Sequence, residues 1–309
     1  MKRFFATASA LVIAAAAVGA QAPAGQAPRI DWNARAPWGA QPNVPFDQQR
    51  KPPFKVFDNL WYVGIQTSSN FLLTTSAGLV LFDATWDETA DYVVDNIRTA
   101  GFNPRDVRYL IITHAHIDHF AGTGKIRQAT GARVGMSLED WKQVEQLQSA
   151  PGQGRQNPGP RIARDLVIED GQTIMLGDTA LKFYVTPGHT PGATSTEFQV
   201  RDGGRTYRAL SPGGLGIPDA QWSAAYLKST QRLKALGPWD VMLPNHSDMM
   251  VPRKIRELEP DLKTRRAGDP HPFVPGPARL NTWFDAIIAL MNEKLAVEGG
   301  AAQRPSSAR

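Results

Sequence analysis

The sequence predicts an α/β fold in which two mixed β-sheets lie back to back and helices cover both outer faces, a four-layer αββα sandwich. Two observations indicate it. Strand-like runs come first and are then interleaved with segments of helical spacing, and the same order recurs in the second half of the chain. Each half is therefore expected to supply one sheet and its covering helices. No stretch between residues 55 and 297 has the composition of a linker, so we predict one domain over residues 54–298.

The first half begins with strands that are separated by short polar turns. A helix follows, because apolar residues recur every three or four positions until Gly101 and Pro104 end the pattern. A continuous apolar run, typical of a buried strand, comes next. The predicted elements are strands 59–65, 69–75 and 79–83, helix 87–100, strand 107–113, helix 120–130, strand 133–136 and helix 138–148.

Residues 149–165 contain many Gly and Pro and form too long a connection for a plain turn, so we predict a flap beside an active site. Strands dominate after this flap, including a hairpin turned by Gly203 and Gly204. The predicted elements are strands 166–168, 173–176 and 181–186, hairpin 195–200/205–210, helix 223–236, strand 241–244 and helix 279–297. Residues 23–53 are expected to form an N-terminal arm without regular structure, and residues 299–309 a disordered tail.

Composition limits the classes of protein to which the chain can belong. Hydrophobic residues make up 42% of the 309 residues, enough for a large buried core. The formal net charge is +5, but the basic residues are scattered rather than grouped in a stripe, which argues against nucleic-acid binding. The absence of cysteine excludes disulfides, thiol nucleophiles and cysteine-bound metals together.

Residues 1–22 are typical of a signal peptide. Lys2 and Arg3 form a positive start, Ala6–Val18 is apolar and rich in alanine, and small residues ending at Ala20 or Ala22 offer cleavage sites. The apolar stretch is short and polar sequence follows it, which favours cleavage over a membrane anchor. We therefore expect a periplasmic or secreted protein that has no membrane contact after cleavage.

A cluster of histidines follows the predicted buried strand 107–113. His114 and His116 are two residues apart, so their side chains share one face of an extended chain, and Asp118 and His119 come directly after them. Imidazoles and a carboxylate are ligands that suit zinc. A surface run of histidines would not be expected at the end of a buried strand, so the cluster predicts a metal site.

Two distant histidines have the same setting. His189 follows predicted strand 181–186, and His246 follows predicted strand 241–244. Because ligands collect beyond the carboxyl ends of strands in α/β sheets, these segments can converge on the first cluster. His271 has no such setting and is interpreted as a structural residue.

At these positions the chain resembles the metallo-β-lactamase superfamily, and within it the subclass B3 enzymes. The superfamily pattern is carried by THAHIDHFAG (113–122), TPGHTPGATS (186–195) and NHSD (245–248). The flanking stretches 52–64 and 268–287, together with His119 beside Asp118, favour subclass B3. The resemblance covers roughly residues 30–297.

The resemblance implies a hydrolase with two zinc ions. One zinc would be bound by His114, His116 and His189, and the other by Asp118, His119 and His246. Asp118 would also be catalytic, because it would orient a metal-bound hydroxide that attacks and opens the β-lactam ring of an antibiotic. Asp83, at the end of strand 79–83, would steady the site from behind its ligands. A turn carboxylate at the surface is the plain alternative for Asp83.

Residues 209–215 depart from the subclass B3 pattern. Enzymes of that subclass usually carry two serines here, whereas this chain offers only Ser211, followed by Pro212-Gly213-Gly214. Ser211 is predicted to bind substrate, with an ordinary turn residue as the alternative. Trp38, Trp86 and the flap are further candidates for the pocket wall, with simple packing as the alternative for each tryptophan.

The leading hypothesis is a class B β-lactamase that acts as a monomer on a small-molecule β-lactam and confers antibiotic resistance. The alternative enzyme is another hydrolase of this fold, such as an acyl-homoserine lactonase. That enzyme would carry a zinc-bridging Asp in place of the serine region, and residues 209–218 contain no Asp. A non-catalytic zinc-binding protein is the third hypothesis, and the complete set of six ligand types argues against it.

Overall fold

The computed structural model describes residues 30–38, 43–150, 152–249 and 253–302. The described residues from Trp32 onward form one compact unit. The predicted signal peptide, residues 1–22, lies outside the described residues. In the described part of the chain, no helix has both the length and the apolar character needed to cross a bilayer.

The first half of the chain forms a seven-stranded mixed sheet whose strands lie side by side in chain order. Neighbours from β1 to β4 are antiparallel and those from β4 to β7 are parallel. The strands are β1 Phe54–Phe57, β2 Leu60–Tyr62, β3 Phe71–Thr75, β4 Gly78–Phe82, β5 Val107–Ile111, β6 Arg133–Ser137 and β7 Leu166–Ile168.

The second half forms a five-stranded sheet in the order β12-β11-β10-β9-β8, antiparallel except for the parallel pair β11 and β12. The strands are β8 Thr173–Leu176, β9 Thr179–Val185, β10 Thr194–Asp202, β11 Arg205–Ser211 and β12 Val241–Met242. Gly203 and Gly204 turn β10 into β11 with positive φ angles of 55° and 84°, as the predicted hairpin requires.

Helices cover both outer faces of the two sheets. The helices of the described residues are α1 Trp32–Arg35, α2 Ala90–Thr99, α3 Ile117–Phe120, α4 Thr123–Thr130, α5 Leu138–Leu147, α6 Ser223–Leu236, α7 Ile255–Thr264 and α8 Pro277–Ala302. Apolar residues of α2, α4 and α5 pack on the first sheet, and those of α6 and α8 pack on the second. A third apolar cluster, with Phe82 stacked on Phe198, fills the space between the sheets. The predicted four-layer sandwich is confirmed.

Several predicted boundaries were wrong. The sequence interpretation missed β1 and α7, and residues 23–53 contain the helix α1 and a 3-10 turn at Phe46–Gln48. Predicted helix 120–130 is divided into α3 and α4 near Gly122, where a Cβ atom would lie 2.2 Å from the Ala84 carbonyl oxygen. The last helix continues through Ala302, so residues 299–302 are helical rather than disordered. The rest of the predicted tail lies outside the described residues.

The topology brings several loops to one edge of the sandwich. The parallel strands β4 and β5 end there, as do β9, β11 and β12 of the other sheet. A hydrogen bond of 2.8 Å from the Thr194 amide to the Thr113 carbonyl oxygen joins the two sheets at this edge. A second one, 2.9 Å from the Ser69 amide to the Asn245 carbonyl oxygen, joins the β2–β3 turn to the loop after β12. The histidines predicted to bind metal lie in these loops, except His119, which lies in the short helix α3 that follows β5.

Candidate metal centre

The structure brings the six predicted ligands together in two groups. His114, His116 and His189 form the three-histidine group, and Asp118, His119 and His246 form the Asp118 group, each with its ligand atoms within 4.8 Å of one another. The two groups adjoin, because the rings of His114 and His119 are 4.1 Å apart between centroids. His114 and His119 are fully buried, whereas the other four side chains are partly exposed. The site is therefore anchored on one side and open on the other.

Four of the imidazoles are oriented by a hydrogen bond at Nδ1. The acceptors are Thr113 Oγ1 for His114 at 3.0 Å, Asp83 Oδ2 for His119 at 2.8 Å, the Gly216 carbonyl oxygen for His189 at 2.7 Å and the Thr67 carbonyl oxygen for His246 at 3.2 Å. Carbonyl and carboxylate oxygens only accept, so Nδ1 carries the proton. The hydroxyl of Thr113 already donates to Asp83 and therefore accepts from His114. In the neutral form of each ring Nε2 is left with a free lone pair, the form that binds metal.

Contacts at Nε2 show that the residues fit a metal ion. His119 Nε2 and His246 Nε2 lie 3.1 Å apart, and Asp118 Oδ2 lies 3.3 Å from the first and 3.4 Å from the second. Two lone pairs and a carboxylate oxygen at these distances repel one another unless a proton or a metal cation lies among them. Nε2 of His114 is buried without a hydrogen-bond partner in the described residues. A buried donor set of this kind is the chemistry of a metal site.

Burial and charge set the protonation of the group. Burial lowers the pKa of His116 to about 4 and also lowers the pKa of His114 and His189, so these imidazoles are neutral at pH 7. Burial opposes the charge on His119, yet the Asp118 and Asp83 carboxylates raise its pKa to about 10. The Asp118 group therefore has a local field that attracts a positive charge.

Asp83 lies behind the ligands, as the sequence predicted. It is fully buried, and its Oδ1 accepts from the Thr113 amide at 2.7 Å. Its Oδ2 accepts from the Thr113 hydroxyl at 2.9 Å and from His119. Asp83 has a φ of 61°, a conformation that Asp tolerates better than most residues. The carboxylate thus joins the end of β4 to the start of the histidine segment and fixes the ring of His119.

The segment after β11 packs against the imidazole of His189, one of the predicted metal ligands. Its Gly214 and Gly216 lie against the ring of His189, where added Cβ atoms would come within 2.2 Å and 2.7 Å of ring carbons. Gly216 also accepts the Nδ1 hydrogen bond of that ring. Ser211 is buried at the end of β11, with 3% of its surface exposed. Its predicted contact with substrate stays a prediction.

The predicted wall residues have different surroundings. Trp38 is buried beside Trp283 of α8, with ring centroids 6.0 Å apart, so it belongs to the outer core. Trp86 instead contacts the flap, because the guanidinium of Arg155 lies 5.0 Å from its ring. The Arg155 guanidinium also lies 5.1 Å from the ring of Phe46. The flap is thus fastened to the loop after β4, beside the helix α3 that carries Asp118.

Sequence reasoning missed two side chains that support the site, Asn245 and Asp140. Asn245 donates to Thr113 Oγ1 at 2.9 Å, and Asp140 accepts from the loops of both histidine segments. His271 is structural, as interpreted from the sequence: its ring stacks on Phe57 with centroids 4.1 Å apart. Carboxamides and carboxylates that bind backbone groups leave no periodic signal, so only the fold identifies them.

The sequence pattern of the metallo-β-lactamase superfamily (Lactamase_B) matches residues 63–203. That range includes five of the six predicted ligands and ends before His246. Among solved structures, the subclass B3 metallo-β-lactamase BJP-1 of Bradyrhizobium japonicum superposes with a TM-score of 0.70 at 28% identity. The superposition covers 83% of this chain and 98% of that one.

Curated relatives have other activities. Hydroxyacylglutathione hydrolase of Acidiphilium cryptum is 32% identical over 158 residues, which are 50% of this chain and 56% of that protein. N-acyl homoserine lactonase AttM of Agrobacterium fabrum is 32% identical over 111 residues, 35% of this chain and 41% of that protein. The chain therefore spans about half the length, or less, of these curated relatives.

Proposed function

We propose that this chain, whose residues 63–203 match the sequence pattern of the metallo-β-lactamase superfamily and whose fold resembles BJP-1, is a zinc-dependent hydrolase that opens the amide bond of β-lactam rings. The observation that carries the proposal is the pair of adjoining ligand groups, with five imidazoles, one carboxylate and no cysteine. The three-histidine group would hold one zinc and the Asp118 group the other. This donor set suits zinc because neutral imidazoles are its preferred nitrogen ligands.

Zinc at this site would supply a water of lowered pKa and would polarise the carbonyl group of the substrate. The chain's own contribution is orientation. Asp118 turns Oδ2 towards His119 and His246, so its Oδ1 is the atom that can accept a hydrogen bond from the attacking water. The same carboxylate can then carry the proton of that water to the leaving nitrogen of the opened ring.

Access to the site comes from the partly exposed ligands. His116, Asp118, His189 and His246 form its open side, and the flap lies against α3 at the border. A β-lactam can approach there with its carbonyl group directed at the ligand groups. The export predicted for residues 1–22 stays a prediction and would place this chemistry in the periplasm or outside the cell.

A lactone is the second candidate substrate, and the similarity to the AttM lactonase favours it. The expected difference is a zinc-bridging carboxylate near the end of β11. In the described residues, Asp118 is the only carboxylate in either ligand group. The β-lactam is therefore placed first, and the resemblance in fold to BJP-1 supports the same order.

The test is hydrolysis by the purified protein after reconstitution with zinc. We would compare a penicillin, a carbapenem, an N-acyl homoserine lactone and a hydroxyacylglutathione thioester, each with and without a chelator. We expect turnover of a β-lactam that the chelator abolishes and that added zinc restores. The variant His116→Ala should keep the wild-type circular dichroism spectrum, lose zinc content and lose turnover that zinc does not restore, because one ligand is gone.

Each contrary result rejects a defined part of the proposal. Turnover of the lactone or the thioester without turnover of a β-lactam would reject the substrate. A protein that binds zinc but hydrolyses none of the four substrates would be a non-catalytic zinc-binding protein. Turnover of His116→Ala at the wild-type rate would reject the ligand assignment.

A further inference from the structure

Asp140 is a fully buried carboxylate that receives hydrogen bonds only from neutral donors. Its Oδ2 accepts from the Ala115 amide at 3.0 Å and from the Thr190 hydroxyl at 2.8 Å, and its Oδ1 accepts from the Gly192 amide at 2.8 Å. No salt bridge to Asp140 is found among the residues that the structure describes. Burial raises the pKa of this carboxyl to about 6. Burying a carboxylate without a charged partner costs free energy unless its oxygens accept hydrogen bonds.

The donors to Asp140 belong to the two segments that supply the three-histidine group. Ala115 lies between His114 and His116 in the chain, so a hydrogen bond to its amide holds the backbone that carries both rings. Thr190 follows His189 directly, and Gly192 follows two residues later. These segments come from different sheets and are far apart in sequence. One carboxylate therefore spans the gap across which the three-histidine group is assembled.

The start of α5 reinforces this link. Ser137, which caps the helix, accepts from the Asp140 amide at 3.3 Å and donates to the Gly192 carbonyl oxygen at 2.6 Å. An added Cβ at Gly192 would lie 2.1 Å from Ser137 Oγ, so the loop fits closely against the helix. The amide and the carbonyl group of Gly192 are thus both held by the first turn of α5. The loop that carries His189 has little freedom to move away from it.

We propose that Asp140 is a positioning residue that sets the separation between the His114–His116 segment and His189, and so preorganises the three-histidine group for metal. The inference rests on the metal-binding part of the proposed function and is independent of the substrate. It assigns Asp140 to one of the two ligand groups, because its donors flank ligands of that group only. The Asp118 group is held instead by Asp83 and by the Thr67 carbonyl oxygen.

The test is metal binding by the variant Asp140→Asn, followed without any substrate. The amide has one acceptor oxygen in place of two, so its NH2 group must face at least one N–H or O–H donor of the two loops. We expect the affinity of the three-histidine group to fall roughly tenfold or more, as for other residues that support metal ligands. Zinc affinity would be measured by competition with a chromophoric chelator, and cobalt would report each group through its absorption spectrum.

Glu139→Gln is the matched control, because it makes the same chemical change at the neighbouring position. Glu139 is exposed and its Oε1 accepts from Lys142 at 2.8 Å, away from both histidine loops. Its metal affinities should equal those of the wild type. Thr190→Val is the second variant: it removes one donor, keeps the carboxylate and preserves the shape of a buried side chain. Its loss of affinity should be smaller than that of Asp140→Asn and in the same group.

The outcomes separate this inference from the proposed function. If the wild type binds no zinc, the proposed function fails and this inference fails with it. If the wild type binds zinc and Asp140→Asn shows unchanged affinities and an unchanged cobalt spectrum, only the positioning role is overturned. If Asp140→Asn does not fold, as judged by circular dichroism, Thr190→Val decides: unchanged zinc binding in that variant overturns the role, and weaker binding in the three-histidine group supports it.

Discussion

Replacing Asp83 by Asn tests how the chain controls the proton of His119. The substitution keeps the size of the side chain, and Asn tolerates the positive φ of 61° at this position at least as well as Asp does. The backbone at the end of β4 should therefore stay in place. What changes is the number of acceptors, from two carboxylate oxygens to one amide oxygen.

The expected magnitude follows from the three donors that Asp83 receives, at 2.7, 2.8 and 2.9 Å. If the amide NH2 faces the Thr113 amide, one buried N–H loses its acceptor, which costs about 1–3 kcal/mol of the free energy of unfolding. If the NH2 faces His119, the imidazole must accept at Nδ1 and carry its proton on Nε2. That atom is the one turned towards Asp118 and His246, so the proton would occupy the place of the metal.

Both orientations weaken the Asp118 group, and we expect its metal affinity to fall roughly ten- to a hundredfold. The three-histidine group should be affected less, because Asp83 reaches His114 indirectly, through the Thr113 hydroxyl. Zinc titration against a chelator would give the two affinities, and urea unfolding of the metal-free protein would give the stability. Asp91→Asn, at an exposed position of α2, is the control for the change of charge.

Wild-type affinity at the Asp118 group in Asp83→Asn would refute the reasoning, since it would mean that the proton of His119 is fixed by something other than Asp83. A loss of equal size at both groups would also contradict it. That result would point to a general loosening of the loops rather than to a single imidazole. Neither measurement depends on the identity of the substrate.

Two further predictions concern the segments beside the ligands. Gly214→Ala places a Cβ 2.2 Å from the ring of His189 at a φ of 144°, so zinc binding by the three-histidine group should be lost. Gly203→Ala is the control, because its φ is 55° and nothing lies within 4 Å of its Cβ. That variant should bind zinc normally. Equal zinc content in the two variants would contradict this. Arg155→Ala removes contacts with two aromatic rings, which are worth about 0.5–1 kcal/mol each at exposed sites. The flap should therefore be cut faster in this variant than in the wild type or in the control Arg161→Ala. The protease used should be one that does not cleave at arginine. An unchanged cutting rate would show that these contacts do not hold the flap.

The sequence was sufficient for most of the fold because apolar periodicity is a local signal. Helix α6 was predicted at its observed bounds, and the hairpin of β10 and β11 follows from its two glycines. The missed elements lack such a signal. Strand β1 comes directly after two prolines that read as irregular chain, and α7 contains Pro260 and buries only Ile255 and Leu258. Their place is decided by packing against the inter-sheet core rather than by a local pattern.

The site was predictable in part for a related reason. The metal-binding atoms belong to side chains whose chemistry is visible in the sequence, and each of them follows a strand. Their supports are different in kind: His189 and His246 are oriented by carbonyl oxygens of Gly216 and Thr67, and any residue type provides a carbonyl oxygen. Asp140 carries a chemically informative side chain, but its partners are brought to it by the meeting of two sheets. No spacing along the chain could have indicated them.

The loop after β11 departs from the subclass B3 pattern, and the structure gives a steric reason for its small residues. The sequence offers one serine there, Ser211, where subclass B3 enzymes usually carry two. In the structure the same residues enclose an imidazole, because Gly214 and Gly216 approach the ring of His189 more closely than any residue with a Cβ could. The requirement for small residues at these positions is therefore steric and concerns the metal ligand. Ser211 stays a candidate for substrate contact at this edge, and the flap with Arg155, which lies beside α3, is a second one.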